Sequence, residues 1–156
     1  LPPRPSEGSA RGPVFAVSAL RDPGSDERPG NLLQRIQIVK GWTGPDGVMH
    51  QQVVDVAGRR DPAARVHPDT FEVSGPGAVS LCGVWRDPAF DPAQHAVYYA
   101  RVLENERCRY AGWMCRPSEG ARRPATCDDE RVPKTIQERA WTSPIWYTPT
   151  EAAASP

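Results

Sequence analysis

The chain has no net charge to speak of: 19 basic and 19 acidic residues cancel over 156 positions. Without a field of one sign, nothing at the whole-chain level draws it to nucleic acid or to an anionic membrane surface, so no nucleic-acid partner is expected. The pairs Arg59-Arg60 and Arg122-Arg123 stand close to prolines and read as solvated loop charges. Long apolar runs are missing too. None approaches the ~20 residues that cross a bilayer, so no membrane span is expected.

Histidine is scarce. His50, His67 and His95 fall in three separate segments, none at an HxH or HExxH spacing that would hold a metal. There is no GxSxG turn and no cysteine with a base beside it, which removes the familiar settings for a nucleophile. The stretches "RDPAFDPAQ" and "CDDE" gather carboxylates but lack the alternating order of a calcium loop. Asp87 and Asp91 read as turn residues whose short side chains cap backbone N–H groups beside proline. No catalytic residue, no metal ligand and no cofactor is therefore assigned within this chain.

What is plentiful is proline, with 18 residues, and glycine, with 13. Both break helices and punctuate turns, which favours many short strands over a helical core. A chain of this size still buries roughly 69% of the surface its unfolded form exposes, so a real core is within reach. Residues 1–13, "LPPRPSEGSARGP", read as a proline-rich linker, and an opening of this kind at Leu1 suggests an excised part of a longer polypeptide. Strands are predicted at "VFAVSAL" and at "LLQRIQIVKGW", whose alternation turns Ile36 and Ile38 to the core. Pro45-Asp46-Gly47 makes a turn, and "VMHQQVVDVA" returns to complete a hairpin over residues 33–57. Residues 58–78 read as loop with a short strand at "TFEV". "AVSLCGVW" is the next strand, and "HAVYYARVLE", apolar on both faces, reads as a central strand with Tyr98 or Tyr99 in the core.

Segment 105–133 shows no period and holds three of the four cysteines, Cys108, Cys115 and Cys127, with Cys82 upstream. An even set in loop-rich sequence points to disulfides in an exported protein, hence an extracytoplasmic location, periplasmic or secreted. Two bridges are expected; four cysteines allow three pairings, with Cys115 to Cys127 favoured by proximity. Zinc fits poorly, since no pair has knuckle spacing and no histidine is near. The last strand, "QERAWTSPIWY", contains Pro144, which cannot donate to a ladder and so marks an edge or a bulge. Alternation across it puts Trp141 and Tyr147 on one face and Trp146 on the other, and 149–156 is a disordered tail. Of the five tryptophans, Trp85 and Trp146 read as packing residues, and Trp113 is the one that core packing explains least. Six or seven strands joined by turns give an all-β chain: an antiparallel β-sandwich of immunoglobulin-like size over 14–148, with a long irregular disulfide-rich loop at 105–133.

Three blocks, "LLQRIQIVKGW", "DPAFDPAQHAVYYARVLE" and "VPKTIQERAWTSPIWYTP", together resemble the C-terminal region of a bacterial domain-of-unknown-function family, number 3604. That family resembles the polymerase-and-histidinol-phosphatase (PHP) metal-dependent hydrolases. The resemblance implies a non-catalytic C-terminal accessory domain whose partner is an N-terminal catalytic domain of the same polypeptide, with the divalent metal held there. It also implies that the four cysteines match those of exported members. Gln137, Glu138 and Arg139, which no core needs, together with Trp113, form the candidate interdomain surface. The alternative is an independent module binding carbohydrate or another cell-envelope ligand through its tryptophans.

Overall fold

The computed structural model describes residues 12–27, 29–59, 61, 64–115 and 123–150. The linker assigned to 1–13 and the tail assigned to 149–156 lie outside these, apart from Gly12, Pro13, Pro149 and Thr150.

Leu33–Thr43 (β2) and Met49–Gly58 (β3) form the hairpin predicted between 33 and 57. Its turn is closed by Gly44 N–H donating to Val48 O at 2.9 Å, by Gly47 N–H donating to Gly44 O, and by Asp46 Oδ1 accepting from Val48 N–H. Gly47 has φ +77°, the left-handed backbone this turn requires of glycine. β2 pairs along its other edge with the 13-residue strand Ala96–Cys108 (β7), from Leu33↔Glu104 to Trp42↔Ala96. β2 is hydrogen-bonded on both sides, and Leu33 and Arg35–Lys40 are all buried, the residues of both faces among them.

The far edge of β7 is shared. Thr135–Trp141 (β8) pairs with its C-terminal half and Ile145–Tyr147 (β9) with its start, so the sheet runs β3-β2-β7-β8/β9. Pro144 falls in the gap between the two, as its missing N–H dictates. Thr142 carries the ladder into that gap. Its N–H donates to Ala100 O at 3.1 Å, and its hydroxyl accepts from Ala100 N–H at 3.0 Å.

Val14–Leu20 (β1) and Ser80–Arg86 (β6) form a separate antiparallel ribbon. Its inward residues include Phe15, Val17, Leu81 and Trp85. β6 lies over β3 and β2, and β1 lies over β2. Between the layers sit Ile36 and Ile38, 0% and 2% exposed, each contributing about 1.5–3 kcal/mol of burial. Tyr98 faces the same space with its ring 4.7 Å from that of Phe15. The all-β antiparallel fold is thus as predicted, but its layers are unequal, five strands against two.

The region 58–78, predicted as loop with a short strand at "TFEV", holds Arg65–Val66 (β4) paired with Val73–Ser74 (β5), so a strand does begin at the last residue of that stretch and finds a second, unpredicted one as its partner. His67 Nδ1 accepts from Asp69 N–H and Thr70 N–H, both at 3.2 Å, which stitches the intervening turn. Segment 105–133 is more regular than predicted. β7 continues to Cys108 because β8 offers it a partner there, and it is followed by a helix, Tyr110–Cys115 (α1), and a 3₁₀ turn, Ala125–Cys127.

One disulfide, Cys115–Cys127, joins that helix to that turn. The expected second bridge is not formed. Cys82 lies on the exposed outer side of the β1–β6 ribbon, opposite Ser18, whereas Cys108 is buried at the end of β7 in the other sheet. The thiol of Cys108 donates instead to Arg109 O at 3.2 Å.

Candidate functional site

Two constellations stand out, one buried and one exposed. Lys40 on β2 points into the interlayer space and meets Asp87, which follows β6, at 2.6 Å. Asp87 also accepts the Tyr98 hydroxyl at 2.7 Å and the Ala89 N–H at 2.9 Å, and Lys40 donates to Ala89 O at 2.8 Å. Its ammonium sits 5.0 Å from the centre of the Trp42 ring, a cation–π arrangement. Burial pushes the Asp87 carboxyl up, but the hydrogen bonds from Lys40, Tyr98 and Ala89 outweigh it and hold the group below its usual range. The same burial, with the Asp87 charge beside it, pushes the Tyr98 hydroxyl well above its ordinary value. The expected turn role of Asp87 is real, and Asp91 does the same by accepting from Ala93 N–H at 2.8 Å. With Asp87 buried, the cluster ties the 87–94 turns to the sheet and offers no open atom to a ligand.

The exposed constellation lies on the face of the large sheet turned away from the ribbon. Register places Val39 opposite Tyr99 and Val53, Gln37 opposite Arg101 and Asp55, Arg101 opposite Trp141, and Val97 opposite Trp146. Directly opposed residues point to one side of a sheet, so these side chains share that face. Trp141 is 58% exposed and Trp146 73%. Between their strands and β3 runs a polar chain: Arg101 Nε donates to Gln37 Oε1 at 2.8 Å, Gln37 Nε2 donates to Asp55, and Arg35 Nε lies 3.6 Å from the same carboxylate. Gln37, 1% exposed, anchors this chain in the middle of the face, while the two solvent-facing indoles stand toward its β8–β9 edge. Such a surface can stack, hydrogen-bond and exclude water.

The packing role predicted for Trp146 is thus corrected, as is its separation from Trp141. The interruption at 142–144 resets the alternation, so that Trp141 and Trp146 share a face and Tyr147 turns to the other, where its hydroxyl donates to Pro92 O at 3.0 Å. Trp85 does pack inward, stacked at 6.1 Å on Phe15.

Of the predicted interdomain residues, Gln137 is committed internally, its amide donating to Gln34 Oε1 at 3.1 Å and to Glu104 O at 3.0 Å. Glu138 lies 3.7 Å from Arg107, and Arg139 is exposed opposite Leu103. Trp113 stands on α1 against Phe71, with ring centres 6.0 Å apart, and is 48% exposed. The histidines remain apart: His50 stacks on Trp42, His67 closes its turn and His95 is exposed. Among the described residues, no three His, Cys, Asp or Glu side chains converge as a metal site would require, and no helix is long and apolar enough to cross a membrane.

No curated protein and no solved structure matches the chain. Residues 5–149 match the family described as protein of unknown function (DUF3604). That span contains every strand and helix described above, from Val14 to Tyr147, and the chain belongs to this family.

Proposed function

We propose that the chain is a non-catalytic accessory β-domain of a larger, PHP-like metal-dependent hydrolase, and that it meets the catalytic domain of the same polypeptide through the exposed face of its large sheet. The observation that carries this reading is the pair Trp141 and Trp146, both exposed on one face, with Arg101 held to Gln37 of β2 on the same face. Tryptophan, tyrosine and arginine are the residues that anchor interfaces, because they bury large areas and hydrogen-bond at little cost in rotamer freedom. Docked there, the domain stabilises its partner or holds the non-reacting part of a substrate, which raises transition-state binding from a distance. The divalent metal belongs to the catalytic domain. The Cys115–Cys127 bridge supports an extracytoplasmic location, where disulfides persist.

Two measurements test this. The 156-residue chain, given manganese or zinc and p-nitrophenyl phosphate, is expected to show no turnover, and turnover abolished by a chelator would overturn the accessory role. In the full-length polypeptide, Trp141→Ala with Trp146→Ala is expected to lower the melting temperature of the catalytic domain; an unchanged value removes this face as the contact.

A second reading, an independent carbohydrate-binding module, is favoured by the same two indoles exposed on one face, since flat rings stack on sugar faces. Calorimetric titration of the chain with soluble polysaccharides separates the two. Saturable heat that disappears in the double Trp variant selects the carbohydrate module, and no heat with any glycan selects the accessory domain.

A further inference from the structure

The β1–β6 ribbon is narrower than the sheet it faces, and the shortfall is on the β1 side. β6 covers β3 and β2, and β1 covers β2, so the β7–β9 half of the large sheet projects beyond β1. A cleft of about 450 Å³ opens there, between Ala16 and Val17 of β1 and Ala100, Thr142 and Ile145 below. That is within the ~300–1,000 Å³ range of ligand clefts.

The hydrogen-bond phase of β1 is settled by its ends. Asp87 N–H donates to Pro13 O at 3.1 Å and Arg21 N–H to Val79 O at 3.0 Å, so the odd-numbered residues from 13 to 21 exchange bonds with β6. In an antiparallel ladder the alternate residues then direct their N–H and C=O groups the other way. These are Val14, Ala16, Ser18 and Leu20. Among the described strands β1 pairs with β6 alone, which leaves those backbone groups facing the cleft as an open edge.

We propose that this edge accepts an extended strand from a separate polypeptide, by β-augmentation. Its backbone would continue the ladder at Ala16 and Ser18, and its alternate side chains would drop onto Ala100 and Ile145 and complete the second layer. The chemistry of the occupant follows from the walls. Among the described residues no charged one lines the cleft, so the inward side chains are uncharged and apolar, and β1's seven residues set the length of pairing. A second copy does not fit: pairing β1 with β1 about a two-fold axis would drive its large sheet into the layer already filled by β7–β9. Nor does the segment 1–11 suit the role, because its three prolines cannot donate to a ladder and its two arginines mismatch the walls.

The probe is a capped peptide of alternating threonine and valine, seven residues long with a lysine at each end. Backbone amide exchange is followed by NMR on the 156-residue chain, with peptide at about ten times its dissociation constant. The amides of Ala16 and Ser18 are expected to exchange about tenfold more slowly when the peptide is bound, while Phe15 and Val17, already paired with β6, do not change. The same peptide N-methylated at every residue is expected to give no protection. Absence of protection at Ala16 and Ser18 with roughly millimolar peptide, protection confined to the Trp141 and Trp146 strands, or equal protection by the N-methylated peptide would each overturn the proposal.

Discussion

The carboxylate of Asp87 is screened from water on all sides, and its charge is tolerated because Lys40, Tyr98 and the Ala89 N–H surround it. Asp87→Asn would leave the Lys40 ammonium buried without a counter-charge, a change that costs about 3–5 kcal/mol when one member of a buried pair is lost. Urea unfolding at pH 7 checks this, and replacing Lys40 by Met and Asp87 by Leu together is expected to recover much of the loss. The pH dependence has a definite sign. Asp87 titrates below its unfolded value of about 3.9, so its contribution is present above that pH and lost as pH falls through the lower folded value. Tyr98 titrates above its unfolded value of about 10, so its contribution is present below pH 10 and fades as pH rises beyond it. Wild-type stability is therefore expected to decline on both flanks of a plateau between about pH 5 and pH 10, with the acid flank flattened in Asp87→Asn. The turn role of Asp87 is legible in its Asp-Pro step. Its partner is not, because Lys40 reads as the polar end of an alternating strand and meets this loop only across 49 positions of chain.

At the scale of elements, β8 and β9 show what a single proline does to an edge. The break at Pro144 is legible because proline has no N–H to give. What the sequence conceals is the change of phase across it, since the number of residues that leave the ladder depends on where Thr142 reattaches. That one change moves Trp146 from an imagined core to the exposed face that Trp141 also occupies. The helix α1 and the 3₁₀ turn after it illustrate the opposite case, local sequence with little periodicity held by cross-links. The Cys115–Cys127 bridge spans 12 residues, and Lys134 donates its ammonium to the carbonyls of Thr126, Asp129 and Val132. Closing a loop of this length lowers the entropy of the unfolded chain by an amount worth about 2–3 kcal/mol. Cys115→Ser with Cys127→Ser is expected to lower unfolding free energy by that much in urea, and added dithiothreitol should do the same to the wild type while leaving the variant unaffected.

For the molecule as a whole, the antiparallel pairing and the central position of β7 follow from short alternating runs between turn residues and are legible, whereas nine strands stand among the described residues where six or seven were expected, because β4 is too short to show a period and the last strand divides at Pro144. The inequality of the layers is not legible, because it depends on which strands become neighbours, a choice made by long-range packing. Gly83 sets the distance between those layers: a Cβ built there would stand 2.4 Å from Val56 O and 3.0 Å from Val56 C. Gly83→Ala must therefore push β6 away from β3, and overpacking of this kind costs about 1–3 kcal/mol, measurable as a lower urea midpoint at unchanged slope. The exposed sheet face carries a further consequence, an optical one. Trp141 and Trp146 meet water more fully than Trp113 on α1, while Trp85 stacks inward, so the larger share of the long-wavelength intrinsic emission comes from the face assigned to docking. Whatever covers that face announces itself in the colour of the protein's own light, without any label attached.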